Sequence, residues 1–230
     1  MVQIFSLLSE LFYPLQCEGC GRGLVKGEKL LCTKCRYDIP KTNFDDHEEN
    51  PVEQIFWGRV RLHSATAYCF YMKTGVVKKL LHSLKYKSKP EIGILLGNFL
   101  GSAIHKKPKF ETIDYIIPLP LHKKREHKRG YNQSQMLAIG INEVISKALD
   151  NNTLYRSIET QTQTKKKRYE RWENVNEIFK LTDEKKFEGK HILLIDDVIT
   201  TGATLEAAAQ TLSKVKDIKI SIAAFAYTKA

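Results

Sequence analysis

Residues 192–204, ILLIDDVITTGAT, constrain the fold more than any other stretch of the chain. The four apolar residues Ile192 to Ile195 show no polar alternation, the mark of a strand covered on both faces inside a parallel sheet. Asp196 and Asp197 end that run as adjacent like charges, and a buried carboxylate is costly unless a cation or a donor meets it. Thr200, Thr201, Gly202, Ala203 and Thr204 follow and lead into a helix. Open α/β sheets bind ligands beyond the carboxyl ends of their strands, and a helix start presents unpaired N–H groups to anions.

A helix cap would account for one Asp and one Thr. It leaves the second carboxylate and the T-T-G-x-T run unexplained. Backbone N–H groups and threonine hydroxyls suit a phosphate, and Gly202 lets the backbone approach it. The carboxylates repel that phosphate, so they suit hydroxyls, or a divalent cation, on an adjoining part of the ligand. A ribose 5-phosphate group has this combination.

Charge supports an anionic partner. The chain of 230 residues carries a formal net charge of +11. Residues 119–180 hold thirteen Lys and Arg against seven Asp and Glu, whereas residues 181–230 hold seven of each. A basic excess confined to one region fits a phosphate ligand or nucleic acid, although a solvated basic surface has the same composition. Hydrophobic residues make up 42%, enough for a core.

Four of the five cysteines, Cys17, Cys20, Cys32 and Cys35, form two C-x2-C pairs eleven residues apart. Two residues between thiols let each pair grip one ion, and four thiolates make a closed tetrahedral structural zinc site with no position for water. Two disulfides are the alternative, which a reducing compartment disfavours. Cys69, in the strand-like SATAYCFY, reads as a buried apolar thiol. His47, in the acidic patch DDHEENPVE, reads as solvated rather than as a ligand.

The start, MVQIFSLLSELFYPL, spaces Ile4, Leu7, Leu8, Leu11 and Leu15 as one face of a short helix. It lacks the basic leader of a secretory signal, and no apolar run approaches the ~20 residues of a membrane span. A cytoplasmic protein is therefore expected. Residues 36–61 read as loop. The patterns predict strands over 63–71, 113–120, 152–158, 191–197 and 218–227. They predict helices over 74–89, with a basic outer face, and over 91–106, 135–149 and 204–215. Residues 121–134 read as a basic loop, and 159–179 fit neither period. Strands alternating with helices predict an α/β fold with a mostly parallel sheet flanked by helices.

ILLIDDVITTGAT resembles the signature of the type I phosphoribosyltransferases: four apolar residues, two acidic, then T-T-G-x-T. LHKKREHKRGYNQSQMLA, LLHSLKY and QTKKKRYERWENVNEIF, together with the four-cysteine front end, resemble the ComF family over nearly the whole chain. The second resemblance implies two domains. Residues 1–60 would hold the N-terminal helix, a four-cysteine zinc ribbon and a linker, and residues 61–230 a phosphoribosyltransferase-like domain.

The resemblance also implies a ligand, phosphoribosyl pyrophosphate (PRPP). Asp196 and Asp197 would hold the ribose hydroxyls, residues 200–204 the 5-phosphate, and Mg2+ would accompany the pyrophosphate. Arg129 would be the cation of the pyrophosphate-side loop. Lys167, Arg168 and Arg171 would lie in a loop that closes over the ligand, and Arg168 and Arg171 would act beside Asp196 and Asp197 if the chain catalyses transfer. The lysine triplet 165–167 departs from relatives, which carry an apolar residue where Lys166 stands. Two functions follow. One is a PRPP-binding competence protein of DNA uptake, handling incoming single-stranded DNA with other competence proteins such as a DNA translocase. The other is an active phosphoribosyltransferase of nucleotide salvage, moving ribose 5-phosphate to a nucleobase or another nitrogen acceptor. Basic residues with interleaved aromatics favour the first: Lys123, Lys124, Arg125, Lys128, Arg129 and Tyr131, then Lys165 to Arg168, Tyr169, Arg171 and Trp172.

Overall fold

A computed structural model describes residues 15–157 and 178–229. The expected helix over the first residues lies outside the described residues, Leu15 apart. So do Lys167, Arg168, Arg171 and the aromatics Tyr169 and Trp172.

Five strands build the central sheet: β1 (Ser64–Phe70), β2 (Tyr115–Pro118), β3 (Ala148–Leu149), β6 (His191–Ile199) and β7 (Lys219–Tyr227). Their order is β1-β7-β6-β2-β3, and every neighbouring pair is parallel. β6, which contains the ILLIDD run, lies between β7 and β2. Its apolar residues divide as a doubly covered strand requires: Leu193 and Ile195 enter one buried cluster, Ile192 and Leu194 the other. Two further strands, β4 (Leu154–Arg156) and β5 (Phe179–Leu181), pair antiparallel outside this sheet.

One face of the sheet is covered by α3 (Val76–Tyr86), α4 (Pro90–Ile104) and α7 (Gln133–Ile145). α3 buries Val77, Leu80, Leu81 and Leu84, the spacing of one helical stripe. α4 starts with Pro90 in its first turn, where a missing N–H costs nothing. α4 and α7 approach so closely that a Cβ on Gly97 would sit 2.2 Å from the carbonyl oxygen of Leu137. The cysteine module, including α1 (Thr33–Tyr37), joins this same cluster through Cys17, Leu31, Cys32 and Cys35.

The other face is covered by α2 (Pro51–Ile55) and α8 (Ala203–Leu212), with Val52, Phe56, Phe187, Leu205 and Leu212 buried. α2 lies in the stretch expected to be loop. Asn50 caps it, its Oδ1 accepting from the amides of Val52 and Glu53. A short α5 (Pro108–Glu111) precedes β2.

The basic loop expected over 121–134 is largely helical: α6 spans Lys123–Arg129, capped by the His122 ring at its start and closed by Gly130 at φ 82°. α7 begins at Gln133 and ends at Ile145, and Ala148–Leu149, expected at the end of that helix, form the edge strand instead. Among the described residues no helix is long and apolar enough to cross a membrane.

Candidate ligand site and metal centre

β6 runs two residues further than the apolar pattern predicts, so Asp196 and Asp197 lie within the strand, near its end, and Thr200 opens the loop. Each carboxylate has a partner from a different helix. Asp196 Oδ1 accepts from Ser134 Oγ at 3.1 Å and from the amide of Asp197 at 2.8 Å. Asp197 Oδ2 lies 2.7 Å from Lys85 Nζ, and both side chains are largely shielded from water. Burial, then the neighbouring Asp197 charge, push the Asp196 carboxyl up to about 7, against the pull of the Asp197 amide, Lys85 and Ser134. Asp196 therefore holds its proton more tightly than an ordinary carboxyl, while the Lys85 ammonium stands against Asp197.

The segment RGYNQS, residues 129–134, is a connector. Asn132 donates to the Leu119 carbonyl beyond β2 at 3.0 Å and accepts from the Ser134 amide at 3.0 Å, capping α7. Tyr131 donates its hydroxyl to the Leu84 carbonyl of α3. Arg129 donates to Gln133 Oε1 and lies 5.9 Å from the centre of the Tyr86 ring. Arg129 thus stands beside α3, half-buried near the aromatic ring of Tyr86.

Gly202 adopts φ 74° at the start of α8, and no side chain of that residue caps the helix. A larger residue there would be strained in backbone and would meet Ile55 Cγ2 at 2.7 Å. Thr200, Thr201, Ala203 and Thr204 are exposed. The contact from Thr201 Oγ1 to the Ala203 amide is long, 3.5 Å, and leaves the helix start open to an anion.

Three residues of this site escape a reading of the sequence. Lys85 belongs to LLHSLKY, where its place in a basic helix reads as outer face. Ser134 sits at the end of RGYNQS without a visible task. Arg156 in β4 is half-buried over the Phe179 ring at 5.6 Å. Burial and the like charge of Arg125 lower its pKa, and Asp196 opposes them, so the Arg156 guanidinium lies within electrostatic reach of Asp196.

Residues 134–230 match the family described as phosphoribosyl transferase domain. The DNA utilization protein YhgH of Salmonella typhimurium is 32% identical over 204 residues, covering 85% of this chain and 83% of the relative. Competence protein ComFC of Bacillus subtilis is 34% identical over 143 residues, 62% of this chain and 55% of the relative. The chain belongs to the ComF family. A third member, Competence protein F of Haemophilus influenzae, is 31% identical over 151 residues, 61% of the chain and 64% of the relative. In this ComF chain Ser134, the acidic pair and the 200–204 loop fall inside the domain match, while Lys85, Arg129 and the cysteines precede it.

The ComF module brings the sulfurs of Cys17, Cys20, Cys32 and Cys35 within 4.8 Å of one another. Sulfurs on a tetrahedral ion with bonds of about 2.3 Å stand about 3.8 Å apart, and Cys20 and Cys32 are separated by 3.8 Å. All four are free thiols rather than disulfides. The amide of Cys32 points at Cys17 Sγ and that of Cys35 at Cys32 Sγ, both at 3.3 Å. Burial resists ionisation of Cys17, but the amides of Cys32, Cys20 and Gly19 outweigh it and hold the thiol down at about 6. The four residues fit a metal ion such as zinc. Among the described residues no other group of three His, Cys, Asp or Glu side chains comes together.

Proposed function

We propose that this ComF chain binds PRPP and serves DNA uptake or utilization, handling incoming single-stranded DNA. The observation that carries the PRPP reading is the placement of one compensated acidic pair next to an uncapped helix start on the same strand–turn–helix unit. The ribose 2- and 3-hydroxyls would donate to Asp196 and Asp197. The 5-phosphate would accept from the amides of residues 203–205 and the hydroxyls of Thr200, Thr201 and Thr204. Hydrogen bonds to a charged group contribute roughly 1.5–3 kcal/mol each, so several converging on one phosphate outweigh the general basic field.

Mg2+ binds with few carboxylates and leans on ligand phosphates. Asp197 already holds an ammonium, so this chain supplies no cage, and the ion would arrive with the pyrophosphate. When bound it would neutralise pyrophosphate charge. Arg129 would share that role, and Lys167, Arg168 and Arg171 are its further candidates. Zinc at the four cysteines would be structural.

The names of the relatives, a DNA utilization protein and two competence proteins, support the DNA role. Lys123 and Lys124, exposed in α6, suit an anionic strand. A translocase or another competence protein would be the natural partner of such a chain.

The phosphate half is tested by Thr204→Glu. Glutamate near a helix start favours the helix yet repels a phosphate. Equilibrium dialysis against PRPP with Mg2+ should show binding by the wild type and its loss in this variant, with α8 intact. Unchanged binding would remove the 200–204 loop from the site.

A further inference from the structure

Lys85 and the cysteine module are parts of one mechanical unit. At the first turn of α3 the module is in contact: a Cβ on Gly19, inside the first C-x2-C pair, would lie 2.6 Å from Val76 Cγ2. Val77, one residue on, is buried in the same cluster as Cys17, Cys32 and Cys35. Just past the last turn, Lys89 forms an ion pair with Glu18, which stands between Cys17 and Cys20. The same short stretch of metal-binding loop therefore grips α3 near both ends. Within that grip, Leu84 accepts from Tyr131 and Lys85 reaches Asp197.

We propose that Lys85 is a positioning residue for the acidic pair and that the cysteine module holds it in place through α3, so that metal occupancy of the cysteines and PRPP binding are linked. This rests on reading Asp196 and Asp197 as the PRPP hydroxyl site. The physical chain is short. Metal binding supplies the folding free energy of a module this small. A module without its ion loses the contacts of Glu18 and Gly19 with α3. The helix then holds Lys85 less firmly, and two adjacent carboxylates face each other without their ammonium. A ligand that needs both carboxylates fixed binds more weakly. Linkage is reciprocal, so bound PRPP must raise the affinity of the cysteines for the metal by making the ordered α3 more favourable.

The experiment measures the equilibrium partition of zinc between the full chain and a zinc-selective colorimetric chelator, with and without PRPP and Mg2+, beside a parallel PRPP titration. At equilibrium with the chelator, saturating PRPP raises the zinc affinity of the wild type about five-fold or more. Lys85→Met, folded at the assay temperature and with normal zinc content, loses that gain, and Lys85→Arg recovers part of it. Lys89→Met cuts the grip at Glu18 while leaving the cysteines, Asp196 and Asp197 in place, and it weakens PRPP binding about five-fold. Zinc affinity indifferent to bound PRPP, or full PRPP affinity in Lys89→Met, overturns the link while leaving the PRPP site standing. Failure of the wild type to bind PRPP overturns the site itself, and the link with it.

Discussion

Lys85 and Asp197, 112 residues apart in sequence, meet at 2.7 Å and turn two adjacent carboxylates into a site the fold can tolerate. The ammonium compensates one charge, and the other is eased by a raised pKa on Asp196. A strand end that looks unfavourable in the sequence is therefore stable only because α3 and α7 deliver partners to it.

That arrangement predicts a pH dependence of stability. An unfolded Asp releases its proton near 3.9, whereas burial and Asp197 hold the Asp196 proton to about 7 in the native state. Between those values the native state binds more protons than the unfolded chain, so this group's contribution falls as pH rises through the window. Asp196→Asn removes the effect. Denaturant unfolding should show the variant gaining on the wild type by at least about 1.4 kcal/mol between pH 4 and pH 8, the equivalent of one pKa unit. A difference independent of pH would mean that Asp196 ionises normally.

How far the sequence reaches is visible in the same residues. ILLIDD reads as a central strand because four consecutive apolar residues need two buried faces, and Leu193 and Leu194 indeed enter opposite clusters. The T-T-G-x-T turn and the paired cysteines are legible because their chemistry is local. α6 is not, since KKREHKR offers no apolar stripe and its ends are set by the His122 ring and Gly130. α2 hides in an acidic stretch until Asn50 is seen capping it. Lys85 is illegible as a partner of Asp197 because the pairing depends on how α3 lies over the sheet.

Metal removal gives a second expected outcome. Cys17, Cys32 and Cys35 belong to the same buried cluster as the sheet and its helices. Stripping the ion should therefore lower the melting temperature of the whole chain, by about 5–10 °C if the module contributes a few kcal/mol. Scanning calorimetry of the zinc-loaded and chelated protein checks this. An unchanged main transition, with only a separate low-temperature event, would mean that the module folds independently of the body.

Gly97→Ala probes the α4–α7 contact. The added methyl would lie 2.2 Å from the Leu137 carbonyl oxygen and 3.0 Å from Gly140 Cα, both backbone atoms with little freedom to yield. Overpacking typically costs about 1–3 kcal/mol, and backbone on both sides puts this site at about 3 kcal/mol. Denaturant melts measure it. A cost below about 0.5 kcal/mol would show that the two helices part easily.

The central claim is that Asp196 and Asp197 hold the sugar of PRPP. Its most direct measurement is a calorimetric titration of PRPP with Mg2+ into the zinc-loaded full chain, beside the Asp196→Asn/Asp197→Asn double variant. Saturable binding by the wild type and none by a folded double variant is the predicted result. Equal binding by both, or no binding by the folded wild type, would contradict the claim.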